Sequence, residues 1–261
     1  MRLICVTSPK SGCGASFCAV NLAKILSDNG HKCLVADLCF RDSSLDMYLG
    51  LTDGFVFNLS DVLKGRCTFE DAVVSDVMGE NFRFACTSTL ENTKDVNVSD
   101  YFALINTNAA EYDFVIADIS ANMLEKSHSH SIDTILYITD PQKSSVTILE
   151  RYVHTLELSC SAYLIVNKVV PDLISLDNAV NIDDICDSTY LSPIGIIPWE
   201  PEIMAYANLG IPSTTNMSLL STKSFLNIVE RLQGNKVCSV DFEYKTPYYK
   251  KIKNITYRRN L

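Results

Sequence analysis

No stretch of this 261-residue chain is long and apolar enough to cross a membrane as a helix. Its first residues, MRLICVTS, lack the charged-then-apolar layout of a secretory leader. These two absences lead us to expect a cytoplasmic protein. No pair among the ten cysteines has the C-x-x-C spacing that zinc and redox sites use. Cys5, Cys33, Cys86 and Cys160 instead lie in or beside apolar runs, where cysteine behaves as a small buried hydrophobe. Reduced thiols in a reducing compartment are therefore expected. A surplus of positive charge is also missing. The net charge of −9 argues against nucleic acid as a partner, because phosphate contacts need clustered Lys and Arg. Histidine is scarce, and the H-S-H pair His128 and His130 comes with no third ligand for a metal, so it is read as part of a solvated loop.

What is present fits one large α/β domain. Apolar residues make up 47% and charged residues 20%, ordinary values for a globular chain long enough to bury a sizeable core. Strand-like runs are expected at 3–8, 32–38, 82–88, 113–120, 133–140, 162–169 and 192–198. Helical patterns cover 16–30, 58–65, 68–75, 98–111, 144–158, 201–209 and 218–232. Several of the strand runs are nearly continuous in Val, Ile and Leu, which suits a parallel sheet covered on both faces. The alternation gives a doubly wound, mostly parallel α/β sheet with helices on both faces. Ligands of such sheets bind beyond the carboxyl ends of the strands. Residues 8–16 and Asp118 fall at such ends.

The composition changes near Gly234. We read residues 1–234 as the folded domain and 235–261 as a basic, aromatic-rich tail. From Lys236 onward there are seven Lys or Arg and two acidic residues, a charge of +5 that leaves −14 on the body. Pro247 and the β-branched Ile252, Ile255 and Thr256 weaken any helix there. The tail is read as disordered or docked on a partner, with binding to anionic lipid as the alternative.

The nonapeptide SPKSGCGAS (8–16) joins the first strand to the first helix. A phosphate-binding loop needs glycines so that backbone N–H groups face an anion, followed by a helix N-terminus. Against the pattern G-x-x-x-x-G-K-[ST], Pro9 replaces the first glycine, Gly14 matches the second, Ala15 replaces the lysine and Ser16 supplies the hydroxyl. On its own the loop fits a plain tight turn equally well. Asp42 and Asp46 are read as capping a short helix or approaching Mg²⁺, the cap being preferred for Asp42. Trp199, between Pro198 and Pro201, packs either at a base pocket or on a partner surface.

Lys10 precedes the glycines, and K-S-G-C-G-A-S resembles the deviant Walker A loop, K-G-G-x-G-K-[ST], of the MinD/ParA family. VADLCFRDSSLDMYLGL (35–51) resembles that family's second strand and switch I, with Asp37 at the first aspartate and Cys39 in place of the second. DFVIADIS (113–120) resembles the Walker B strand. VNK (166–168) resembles the segment whose asparagine meets adenine, and IGIIPWEPEIMAYANLGIP (194–212) the stretch that flanks the base. The motifs stand in the family's order across residues 1–232.

The resemblance implies a P-loop fold, a homodimer, and ATP or ADP with Mg²⁺. It implies nucleotide contacts from Lys10, Ser11, Gly12, Cys13, Gly14, Ala15, Ser16 and Phe17, with Asn167 and Pro198 at the base. It implies Ser16, Asp37 and Asp118 around the metal. Lys10 and Asp37 would be the catalytic residues, Lys10 reaching phosphates held by the facing subunit. Within the family, Ser8, Pro9, Ala15 and Tyr48 resemble the pilus-assembly branch known as CpaE and TadZ, whose members often read S-P-K-G-G-x-G-[TAS]-S without a loop lysine.

Phosphoryl transfer depends on positioning and charge stabilisation. Losing one preorganised electrostatic group commonly costs about 100- to 1000-fold in rate. Ala15 removes one such group and Cys39 a second. Binding through backbone amides is less affected. The expectation is a degenerate, dimeric ATP-binding spatial regulator or scaffold for pilus, secretion or cell-polarity proteins, with weak or no hydrolysis. The alternatives are a slow ATPase driving a positioning cycle and a ParA-like DNA partition factor, the latter opposed by the acidic body. Its expected place is the cytoplasm, with a peripheral seat on the inner face of the plasma membrane if the tail meets lipid.

Overall fold

Strands that must be covered on both faces carry apolar side chains at successive positions, and here those strands build the centre of the molecule. A computed structural model describes residues 1–40, 44–51, 55–91, 96–127, 131–155 and 160–237. Asp42, His128, His130 and the tail from 238 onward lie outside the described residues. In chain order the strands are β1 (Arg2–Thr7), β2 (Cys33–Asp37), β3 (Val74–Ser75), β4 (Phe82–Cys86), β5 (Phe114–Asp118), β6 (Thr134–Thr139), β7 (Ser161–Val169) and β8 (Ser192–Pro198). They form one sheet in the order β3-β4-β2-β5-β1-β6-β7-β8. Neighbours run parallel except β3 and β4, which are antiparallel.

The helices are α1 (Ala15–Asp28), α2 (Leu45–Tyr48), α3 (Leu59–Leu63), α4 (Val98–Asn108), α5 (Ala121–Lys126), α6 (Lys143–Val153), α7 (Pro171–Ser175), α8 (Ile182–Thr189), α9 (Glu202–Asn208) and α10 (Leu220–Leu232). Along β1 the side chains alternate between two cores. Leu3 and Cys5 pack with Phe102 of α4, Leu149 of α6 and Ile185 of α8. Ile4 and Val6 pack with Leu22 of α1 and Phe225 of α10 on the opposite face. The architecture is thus a doubly wound, mostly parallel sheet between two helical layers, as the alternation of strands and helices predicts. Cys5 and Cys33 are fully buried in it, and burial pushes both thiols well above their ordinary range.

One expected helix does not form. Over 68–75, Thr68 and Asp71 do exchange hydrogen bonds, as at a helix start. Only the 3₁₀ turn Glu70–Ala72 follows, and Val74–Ser75 then pairs with Phe84 and Arg83 as the sheet edge. Two β-branched valines in a row favour that extended exit. Conversely, α5, α7 and α8 are additions to the expected elements. They are too short to show a periodic stripe, although Pro171 at the first turn of α7 and Asn181, which caps α8 by accepting from the Asp183 N–H at 3.2 Å, are local start signals.

Candidate functional site

The loop after β1 is shaped by two glycines. Gly12 and Gly14 have φ of +85° and +97°, the left-handed region that a side chain disfavours. Gly14 is also the N-cap of α1; no side chain caps that helix, and its first turn holds no acidic residue. The first amides of α1 are therefore left for an anion, which the helix dipole favours at this end. Ser8 Oγ donates to the Lys10 carbonyl at 2.8 Å and folds the entry of the loop.

The loop is braced from β7. The pairing of β7 with β8 is irregular between Val166 and Val169, and Lys168 adopts φ +56°. This break aims two successive side chains at the loop. Asn167 Nδ2 donates to the Cys13 carbonyl at 2.8 Å, and Lys168 Nζ donates to the Gly12 carbonyl at 2.6 Å. Lys10 turns the other way. Its Nζ reaches Ser145 Oγ at 2.9 Å and Ser144 Oγ at 3.1 Å, in the first turn of α6. These partners are neutral, and a helix N-terminus is an unfavourable place for a cation.

Two carboxylates meet at the ends of β2 and β5, where the parallel register makes Asp37 and Asp118 direct neighbours. Both are buried. Asp37 Oδ1 accepts from the Cys39 N–H at 3.0 Å and Oδ2 from the Leu45 N–H at 3.2 Å, so it ties the turn after β2 to the start of α2. Burial, with the Asp37 charge beside it, pushes the Asp118 carboxyl up to about 7, against hydrogen bonds from Ser16 and Cys39 that favour the anion. Asp118 Oδ2 is buried without a hydrogen-bond partner. An orphaned carboxylate oxygen beside the Ser16 hydroxyl is a donor set that suits a hard divalent cation accompanied by phosphates.

These elements enclose a cleft of about 920 Å³. The residues that the resemblance assigns to nucleotide and metal all line it except Asp37, which is fully buried; Asp46 does not line it either. Pro198, Trp199, Ile203 and Met204 form its apolar end. The sequence reading missed Lys168 and Ser44. Ser44 Oγ donates to Ser16 Oγ at 3.3 Å. Neither had a local signal, because Lys168 acts only through the irregular end of β7 and Ser44 only through the tertiary packing of the residue ahead of α2 against the start of α1.

Comparison with known proteins follows the same outline. Residues 4–212 match the CbiA family, described as the CobQ/CobB/MinD/ParA nucleotide binding domain. The septum site-determining protein MinD of Helicobacter pylori is 28% identical over 268 residues, covering 97% of this chain and 98% of that protein. The MinC:MinD cell division protein complex of Aquifex aeolicus contains a chain that superposes with a TM-score of 0.81 at 25% identity, covering 93% of this chain and 99% of that one. MinD of Pyrococcus horikoshii, solved complexed with Mg-ADP, gives a TM-score of 0.74 at 21% identity, over 88% of this chain and 95% of that one. The similarity therefore runs to septum-site and cell-division proteins along nearly the whole chain, and it overturns the expected CpaE/TadZ branch and its pilus or secretion role. The residues that suggested that branch have local explanations. Ser8 closes the loop entry, Tyr48 packs on Phe17 at 6.4 Å between ring centroids, and Ala15 packs against the α1 core.

Proposed function

The chain belongs to the CobQ/CobB/MinD/ParA nucleotide-binding family, and we propose that it is a MinD-like, ATP-binding spatial regulator acting in placement of the division site. The observation that carries this reading is an open glycine loop with uncapped helix amides facing a cleft of about 920 Å³, in a chain that aligns from end to end with a septum-site protein.

In this reading the amides of residues 12–17 hold the phosphates of ATP or ADP. Asn167 and Pro198 stand at the base. Ser16 and Asp118 would hold Mg²⁺, and Asp37 positions the switch segment behind them. When bound, the cation neutralises charge on the phosphates. Lys10, whose Nζ rests on the neutral Ser144 and Ser145 hydroxyls at the start of α6, would exchange them for the phosphates, in its own subunit or a facing one. Turnover is slow, because Ala15 places no ammonium on the phosphates and Cys39 offers no carboxylate to a water. A homodimer and a protein partner accompany this role, as the relative solved as a MinC:MinD complex suggests. No helix among the described residues is long and apolar enough to cross a membrane. We assign residues 1–234 to the nucleotide-binding domain and 235–261 to a separate basic segment.

Titration of the purified chain with a fluorescent ATP analogue, with and without Mg²⁺, tests the site. Saturable, Mg²⁺-dependent binding is expected. No binding at millimolar nucleotide would overturn the reading. Depletion of the protein in its own cells tests the role: misplaced septa are expected, and normally placed septa would argue against it.

A further inference from the structure

The turn after β2 brings a thiol to the two buried carboxylates. Asp37 and Asp118 are lateral neighbours in the sheet, and Cys39 follows two residues after Asp37. One ligand atom from each of Asp37, Cys39 and Asp118 lies within 4.8 Å of the others. We propose that these three residues form a site for a thiophilic divalent cation, zinc being the type, that is filled without nucleotide.

Three observations carry this. The first is spacing. Metal–ligand bonds of about 2.0–2.3 Å in a tetrahedral zinc site place ligand atoms roughly 3.3–3.8 Å apart, so the cluster needs to close by at most about 1–1.5 Å. The second is Asp118, 1% exposed, whose Oδ2 has no hydrogen-bond partner. That oxygen is desolvated and uncompensated, and a cation between the carboxylates would complete it. The third is access. Cys39 is half-buried and lines the cleft together with Ser16 and Asp118, which gives a path from solvent and leaves a fourth position for water.

Ligand chemistry decides which cation. Carboxylate and water ligands suit Mg²⁺, whereas thiolate selects softer ions such as zinc. The Cys39 proton passes to solvent when the metal–sulfur bond forms. Bound there, the cation would join the end of β2 to β5 beside Ser16, at the phosphate end of the cleft. The site does not depend on nucleotide binding, so its test keeps the two readings apart.

Cobalt(II) reports on sulfur ligation through a thiolate-to-metal charge-transfer band. Cobalt is titrated into the full chain under reducing conditions, with no nucleotide. A band that saturates at one equivalent and is displaced by zinc is expected. C39S should abolish the band, with an unchanged circular dichroism spectrum showing that the variant is folded. D118N, an isosteric replacement, should weaken cobalt binding by at least about tenfold. No band in the parent chain, a band that persists in folded C39S, or an unchanged affinity in D118N would each overturn the site.

Discussion

Asn167 stands so close to Gly14 that its Nδ2 would lie 2.4 Å from a Cβ added to that glycine. The same nitrogen donates to the Cys13 carbonyl at 2.8 Å. The Asn167 contact that braces the phosphate loop from β7 therefore has room only because position 14 carries no side chain.

Gly14→Ala should destabilise the fold by about 2 kcal/mol or more, since it combines a left-handed backbone with a steric overlap. Asn167→Ala should cost about 1–2 kcal/mol by leaving a buried carbonyl unpaired. Both should weaken nucleotide binding. Urea midpoints measure the first effect, and a midpoint for Gly14→Ala equal to that of the parent would show that Asn167 moves aside freely.

Stability without metal should depend on Asp118 in a defined direction. Its folded-state pKa is raised from 3.8 to about 7, so the fold prefers the protonated carboxyl. That preference is fully satisfied below about 4 and lost as pH rises through about 7. Asp118→Asn, which never ionises, should therefore raise the melting temperature relative to the parent more at pH 8 than at pH 5. An equal difference at both pH values would refute the assignment.

Restoring the absent charges should restore turnover. Ala15→Lys should raise the rate of phosphate release by about 100-fold or more, the scale on which one preorganised electrostatic group acts. Cys39→Asp should raise it further when added to Ala15→Lys. Phosphate-release rates that stay at the parent level in both variants would mean that other contacts limit hydrolysis.

The turn after α2 meets the turn after α9 backbone to backbone at Gly50 and Gly210. A Cβ on Gly210 would meet Gly50 N and Cα at 2.4 Å and the Met47 carbonyl at 3.0 Å. Gly210→Ala should cost about 2 kcal/mol or more and loosen the segment that carries Ser44. The effect should appear both in urea denaturation and as weaker nucleotide binding. A neutral result in both would show that this close approach carries no function.

Much of the site was legible because its parts are local. A strand end, two glycines, Ser16 and a helix start lie within a dozen residues, and a left-handed turn ahead of an amphipathic helix needs little context. The branch of the family was not legible. Ala15 and Tyr48 satisfy packing against α1 and Phe17, so their identities report on this core and not on the machine served. Lys168 was missed because its reach depends on irregular pairing between β7 and β8.

By itself the sequence determined the parallel sheet and the place of the loop. Runs of Val, Ile and Leu long enough for a strand must be covered on both faces, and left-handed glycines between such a run and a helix leave few conformations. Only the tertiary structure decided which residues far apart in the chain became neighbours. Strand order and register set Asp118 beside Asp37 and Cys39 and brought Asn167 against Gly14. Those relations come from packing whole elements together, which no local pattern of residues encodes.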